Sequence, residues 1–286
     1  MTLLLGFIAG VTIVLGLPIG RMTRPAPNLR VILNASAVGV LLFLFWDVLS
    51  AAWEPIDVAI TSVHQGHGGL ADAFGYGLLF AGGLGVGLLG LVGYDRYLER
   101  TARNRGLGGP GAMAVTEKPA ATRGPATWSP ARRLALLIAV GIGLHNFAEG
   151  LAIGQSAASN DIALATVLVI GFALHNATEG FGIVAPLAAD RDLNDPNTRP
   201  SWGFLLAMAA IGGGPTFIGT AVGHNFTSEP VSVAFLTLAA GSIVYVVAQL
   251  LGVAARAKRM DLVACGLLIG LLAGFLTDAI VTAGGV

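Results

Sequence analysis

The chain has 286 residues, of which 55% are hydrophobic and only 11% charged, with a mean hydropathy of +0.77 and a formal net charge of zero. A soluble domain carries about 25% charged residues, and a nucleic-acid partner requires a basic surface that a neutral balance does not provide; composition therefore excludes both classes and points to an all-α polytopic membrane protein in contact with the lipid bilayer. The single cysteine, Cys265, excludes a disulfide framework within the chain and, lying in an apolar run, reads as a small core residue.

Eight runs have the roughly 20 apolar residues that a membrane helix needs, at about 2–20, 31–53, 71–94, 133–157, 162–187, 202–223, 231–253 and 261–283. The first has no basic residues ahead of it, unlike a cleavable signal peptide, so it is expected to remain as a spanning helix. The second carries Asp47 and leads to the loop phrase His64-Gln65-Gly66-His67. The third contains Gly85-Val86-Gly87-Leu88-Leu89-Gly90, which has the letters of a dinucleotide fingerprint. That motif needs a preceding strand; inside a membrane helix these glycines read as packing positions.

Residues 99–131 are rich in Gly and Pro and hold no His or Cys, so they read as a flexible loop within a single transmembrane domain spanning 1–286. The sixth run contains Gly212-Gly213-Gly214-Pro215 and ends at His224-Asn225. In the seventh, Ser242 and Gln249 are expected to bond between helices, and the eighth carries Asp278.

Charge sets the orientation. All 16 Lys and Arg residues fall in the loops after the first, third, fifth and seventh runs, Arg21, Arg30, Arg133, Arg199 and Arg256 among them. The positive-inside rule makes those loops cytoplasmic and puts both termini outside.

The fourth and fifth runs carry one phrase twice: His145-Asn146-Phe147-Ala148-Glu149-Gly150 and His175-Asn176-Ala177-Thr178-Glu179-Gly180. His and Glu four residues apart share a helix face, and ionisable groups inside a membrane segment mark an ion or substrate pathway. Antiparallel neighbours bring the His of one copy near the Glu of the other. Two imidazoles and two carboxylates suit zinc and neighbouring first-row metals. Asn146 and Asn176 add carbonyl oxygens, and Gly150 and Gly180 permit close helix approach.

Asp47 and Asp278 each have two readings: a snorkelling carboxylate near the outer interface, or an entrance that attracts cations. His64 and His67 are either solvated loop residues or metal-gathering groups at the mouth.

On the two His-Asn-x-x-Glu-Gly phrases in the fourth and fifth of eight runs, the chain resembles the ZIP family of divalent metal transporters, in its prokaryotic form. The resemblance implies a 3+2+3 inverted-repeat arrangement with helices 4 and 5 central, and movement of Zn²⁺ toward the cytoplasm by alternating access, with Fe²⁺, Mn²⁺, Cd²⁺ or Co²⁺ as other possible cargo. Carried over by motif, His145, Glu149, His175 and Glu179 match its primary site, and Asn146 and Asn176 with the same glutamates match an adjacent one. Ala148 and Thr178 stand where the family usually has Pro, and Gly214 where it often has a Glu that completes the second site. A prokaryotic cytoplasmic (inner) membrane location and a possible homodimer through the glycine-rich third helix complete the expectation. The competing class is an enzyme, a membrane-embedded zinc-dependent hydrolase, against which stands the absence of His-Glu-x-x-His and of any evident acid/base group near the motifs.

Overall fold

The computed structural model describes residues 2–21, 27–106, 125, 128–158, 162–189, 199–225 and 228–283. Within those ranges the side chains of 27, 102–106, 156, 162–168, 171, 174, 188, 189 and 281, and that of His175, lie outside the described residues. The described chain is helical with no strand. α1 (Thr2–Val11) runs directly into a 3₁₀ stretch (Thr12–Arg21), followed by α2 (Pro27–His64), α3 (Leu70–Gly106), α4 (Pro130–Ala158), α5 (Ile162–Ala189), α6 (Trp202–Gly223), α7 (Glu229–Arg256) and α8 (Met260–Ala283). Among the described residues seven of these elements are long and apolar enough to cross a membrane, α1 counted together with its 3₁₀ continuation; α5 is the remaining helix.

Two helices outrun the apolar stretches that predict them. α2 continues past residue 53 to His64, and α3 past residue 94 to Gly106. Beyond the apolar core these segments are amphipathic or charged, and Arg96 and Glu99 stand at a favourable i,i+3 spacing. The flexible loop expected over 99–131 therefore gives up both of its ends to helix, α3 to Gly106 and α4 from Pro130; its middle, 107–124 and 126–127, lies outside the described residues.

The packing falls into matched pairs. α4 lies along α6 as α5 lies along α1 and its 3₁₀ stretch; α2 pairs with α8 as α7 pairs with α3; and α4 meets α7 as α5 meets α2. Exchanging helices 1–3 with 6–8, and 4 with 5, maps each pair onto another, which is the pattern of a 3+2+3 arrangement. Glycines permit the tight crossings. A Cβ at Gly150 would strike the Thr216 carbonyl of α6, and one at Gly180 the Ile13 carbonyl of the 3₁₀ stretch. The two motif glycines thus admit α6 and the 3₁₀ stretch, not each other's helix. In α3, Gly87 packs on Leu238 of α7, whereas Gly85 and Gly90 meet nothing within 4 Å, so the packing reading of that phrase holds for its central glycine alone.

Three other expectations change. Cys265 is exposed, on the outward face of α8; hydrocarbon is as apolar as a protein core, so composition does not say which way a membrane residue faces. Ser242 bonds back to Ala239 O at 2.7 Å in its own helix. Gln249 reaches its neighbour helix only through Tyr245, whose hydroxyl accepts from Gln249 Nε2 at 2.8 Å and donates to Asp95 Oδ2 of α3 at 2.6 Å.

The first span has an unusual winding. A ten-residue 3₁₀ stretch is far longer than the usual three or four residues. Gly16, Pro18 and Gly20 weaken the α ladder there. At the changeover, the Ala9 carbonyl that would accept from Ile13 in an α-helix is occupied by Thr12 Oγ1 at 2.7 Å and by Asn176 Nδ2 of α5 at 2.9 Å. At the far end, Arg21 Nη1 donates to Pro200 O at 2.7 Å and its guanidinium lies 5.1 Å from the Trp202 ring centroid.

Candidate metal centre

Helical periodicity stacks His145 over Glu149 on one face of α4, with Nε2 and Oε1 3.0 Å apart. α5 crosses so that Glu179 Oε1 lies 3.9 Å from the same His145 Nε2. Asn146 ties the crossing: its Nδ2 donates to Glu179 Oε2 at 2.9 Å and to the Gly212 carbonyl of α6 at 3.0 Å. Asn176 performs the equivalent service on the other side through Ala9 of α1. Two motif asparagines therefore fix α4 to α6 and α5 to α1, and one of them orients a motif glutamate.

The cluster is buried. His145 is 2% exposed, Glu149 7% and Glu179 1%, and both asparagines are fully buried. Ionisable groups at this depth are costly unless paired or metal-bound. Among the described residues, Glu149 Oε2, Asn146 Oδ1 and Asn176 Oδ1 are buried oxygen acceptors with no hydrogen-bond partner. Helix packing alone has no use for three such acceptors, whereas a cation does. Among the described residues no three His, Cys, Asp or Glu side chains form a complete metal cage; His175, the fourth expected ligand, has its side chain outside them.

A cavity of about 220 Å³ opens onto the cluster, lined by Asp47 of α2, His145, Glu149 and Gln155 of α4, and Phe172 and Ser232. The structure thus brings Asp47 to the same cavity as the motif, and Asp278, half-buried on α8, within electrostatic reach of Asp47. His64 and His67 stay apart. Both are exposed, His64 as the last residue of α2 and His67 in the turn that follows, and His64 lies 17 residues beyond Asp47, about 25 Å along the helix. Gly214 lines a separate cavity between α1 and α6 with Phe7, Gly10 and Phe217, and it is not among the residues lining the cavity at Glu149. Gln155 went unnoticed because its ten-residue spacing from His145 puts it about 80° round the helix, yet it lines the motif cavity. No local signal marks Ser232.

The sequence matches the family described as ZIP Zinc transporter over residues 116–279, more than half of the chain. The chain belongs to the ZIP family. Among curated proteins none matches the chain. Family membership makes it a membrane transporter of divalent metal, not an enzyme, and lends nothing to the hydrolase reading. The matched range begins before α4 and so contains both copies of the ZIP chain's motif; α1, which lies ahead of it, still reaches the motif through Asn176.

Asn146→Ala is expected to leave the His145, Glu149 and Glu179 side chains in place but to free Glu179, loosen α6 and remove one amide oxygen from the cluster. Outer-shell partners of metal ligands are worth roughly 10- to 100-fold in affinity, so apparent zinc affinity should fall within that range while the protein still inserts. Zinc titration of the purified variant checks this; an unchanged affinity would remove Asn146 from its orienting role.

Proposed function

We propose that zinc crosses the membrane toward the cytoplasm through the cluster between α4 and α5, held by His145, Glu149, His175 and Glu179, with Asn146 and Asn176 contributing carbonyl oxygens. The observation that carries this reading is the approach of two glutamates from different helices to one imidazole nitrogen, at 3.0 and 3.9 Å. A tetrahedral ion bound at about 2.0–2.2 Å separates its ligands by about 3.3–3.6 Å, a value lying between those two distances. The mixed His/carboxylate set favours exchange over permanent retention, and loading the ion displaces protons from the ligands. Asp47, with Asp278 behind it, serves as the cation-attracting entrance; His64 and His67, far along α2, have at most an early gathering role.

Two carboxylates neutralise one dication. Asn146 and Asn176 are uncharged, and Gly214 adds nothing to this face. Two dications about 4 Å apart repel strongly unless ligands offset the charge, so calorimetry on the purified protein should count one tightly held zinc per chain. Two tight ions would require a further carboxylate, with Asp47 the first to test.

Uptake of zinc into proteoliposomes, challenged by Fe²⁺, Mn²⁺, Cd²⁺ and Co²⁺, tests the transport reading and ranks the cargo. Orientation has its own test. In a Cys265→Ser background, cysteine at Gly66 should react with an impermeant reagent from outside and cysteine at Gly109 only from the cytoplasm; reversed labelling would overturn the outside placement of both termini. The Arg-rich, Ala- and Gly-rich composition fits a prokaryotic inner membrane. A homodimer would form through α3, whose Gly82, Gly85 and Gly90 are open to a neighbour.

A further inference from the structure

The end of the bundle that carries the loop arginines holds a groove of about 310 Å³ between the start of α2 and the end of α7. Arg30, Val31 and Asn34 line it from α2, and Val253, Ala254 and Arg256 from α7. The charge in this groove is one-sided: two guanidiniums and no carboxylate. Among the described residues neither Arg30 nor Arg256 makes an ion pair or a side-chain hydrogen bond.

The neighbouring Arg259 behaves differently. Its guanidinium is committed to Asp261, at 3.0 and 2.8 Å, and to Asn28 Oδ1, at 3.2 Å. That fork ties the start of α8 to the start of α2 and fixes the corner around the groove while leaving the other two arginines unspent. A third observation is Asn34, 2% exposed. Its Nδ2 donates to Leu250 O at 3.2 Å, and its Oδ1, at the inner end of the groove, is buried without a partner.

Geometry and chemistry together narrow the occupant. Planar guanidiniums recognise phosphate oxygens through paired N–H donors. A free phosphate would account for the arginines but not for the floor beneath them, where Val31, Val253 and Ala254 present apolar surface. Arg30 stands one residue before the apolar run of α2, at the level where a bilayer places its phosphates. A ligand with an anionic phosphate and an attached hydrocarbon chain satisfies both parts, and basic pockets between membrane helices bind such headgroups. We propose that this groove binds an anionic phospholipid of the surrounding leaflet, its phosphate between Arg30 and Arg256 and its first methylenes on Val31, Val253 and Ala254. Arg256 also borders a neighbouring cavity that contains Asp95 and Glu99, so a bound phosphate competes with those carboxylates for one guanidinium.

The test is native mass spectrometry of the full purified chain offered equal phosphatidylglycerol and phosphatidylcholine. Wild type should retain one phosphatidylglycerol with a preference of roughly 30-fold, from two arginines each contributing about fivefold at the surface. Arg30→Gln/Arg256→Gln should lose most of that preference, and each single substitution should lose about fivefold, so the result does not depend on the double variant being well folded. Lys258→Gln, at the same corner but outside the groove, should keep it. The proposal is overturned if Lys258→Gln loses as much as the arginine variants, which would indicate diffuse surface charge, or if the arginine variants keep the wild-type preference. It is likewise overturned if millimolar inorganic phosphate displaces the lipid and protects the protein as well as phosphatidylglycerol does, which would make the groove a soluble-anion site.

Discussion

His145→Ala, Glu149→Gln and Glu179→Gln are each expected to abolish zinc uptake into proteoliposomes while the protein still reaches the membrane. All three side chains are buried, and His145 Nε2 faces both glutamates. The glutamine substitutions keep volume and remove one negative charge, so a bound dication is left with one of its two facing glutamates. Breaking a buried charge pairing costs about 3–5 kcal/mol, and at 1.4 kcal/mol per factor of ten this is roughly a 100-fold to several-thousand-fold loss at subsaturating zinc. His145→Ala removes the nitrogen on which both glutamates converge and belongs in the same range. Radiotracer uptake, normalised to the amount of inserted protein, measures the effect. Variants that transport like wild type would show that the cluster is a packing device and that metal crosses elsewhere.

The second large effect is structural. Gly180→Val is expected to destabilise the folded chain by about 3 kcal/mol or more, the upper end of overpacking costs. An ideal Cβ at Gly180 would lie against the Ile13 carbonyl oxygen, with the Ile13 carbonyl carbon at 2.8 Å. The obstacle is backbone, which cannot rotate aside as a side chain would, and Gly16 presses the same crossing from the other side, against Gly180 and Phe181. Gly214→Ala is the matched control, since a Cβ there meets nothing within 4 Å. Thermal denaturation in detergent compares the two. Equal stability would mean that α1 and α5 separate more easily than their packing implies.

These two sets of residues differ in how well they can be read from sequence. The motif was legible because spacing fixes a helix face, and because two ionisable residues inside an apolar run have few innocent explanations. The eight runs were legible for the same reason that membrane topology generally is: lipid admits little but helices and closed barrels. What sequence withheld was register between helices. It showed that Gly150 and Gly180 permit close approach but not that α6 and the 3₁₀ stretch make it. It placed Asp47 in the second span without revealing that α2 meets α4 at one cavity with His145 and Glu149. Cys265 was misjudged for a physical reason: in a membrane an outward face and an inward face are equally apolar. Ser242 was assigned a neighbour helix because the option of bonding its own backbone leaves no trace in composition.

The winding of the first span gives it a length that its residue count does not suggest. At about 1.5 Å per residue in α form and about 2.0 Å in 3₁₀ form, Thr2–Val11 and Thr12–Arg21 cover about 15 and 20 Å, so twenty residues stretch over about 35 Å instead of the 30 Å of a plain α-helix. The segment is pinned midway by Asn176 on the Ala9 carbonyl and at its end by Arg21 on Pro200 and Trp202. Each three residues that rewind from 3₁₀ to α draw the lower end up by about 1.5 Å, and Arg21 passes that pull to the start of α6. The span is thus a stretched tether, gripped at its middle by a residue of the repeated motif and at its end by the helix that the other motif copy packs against.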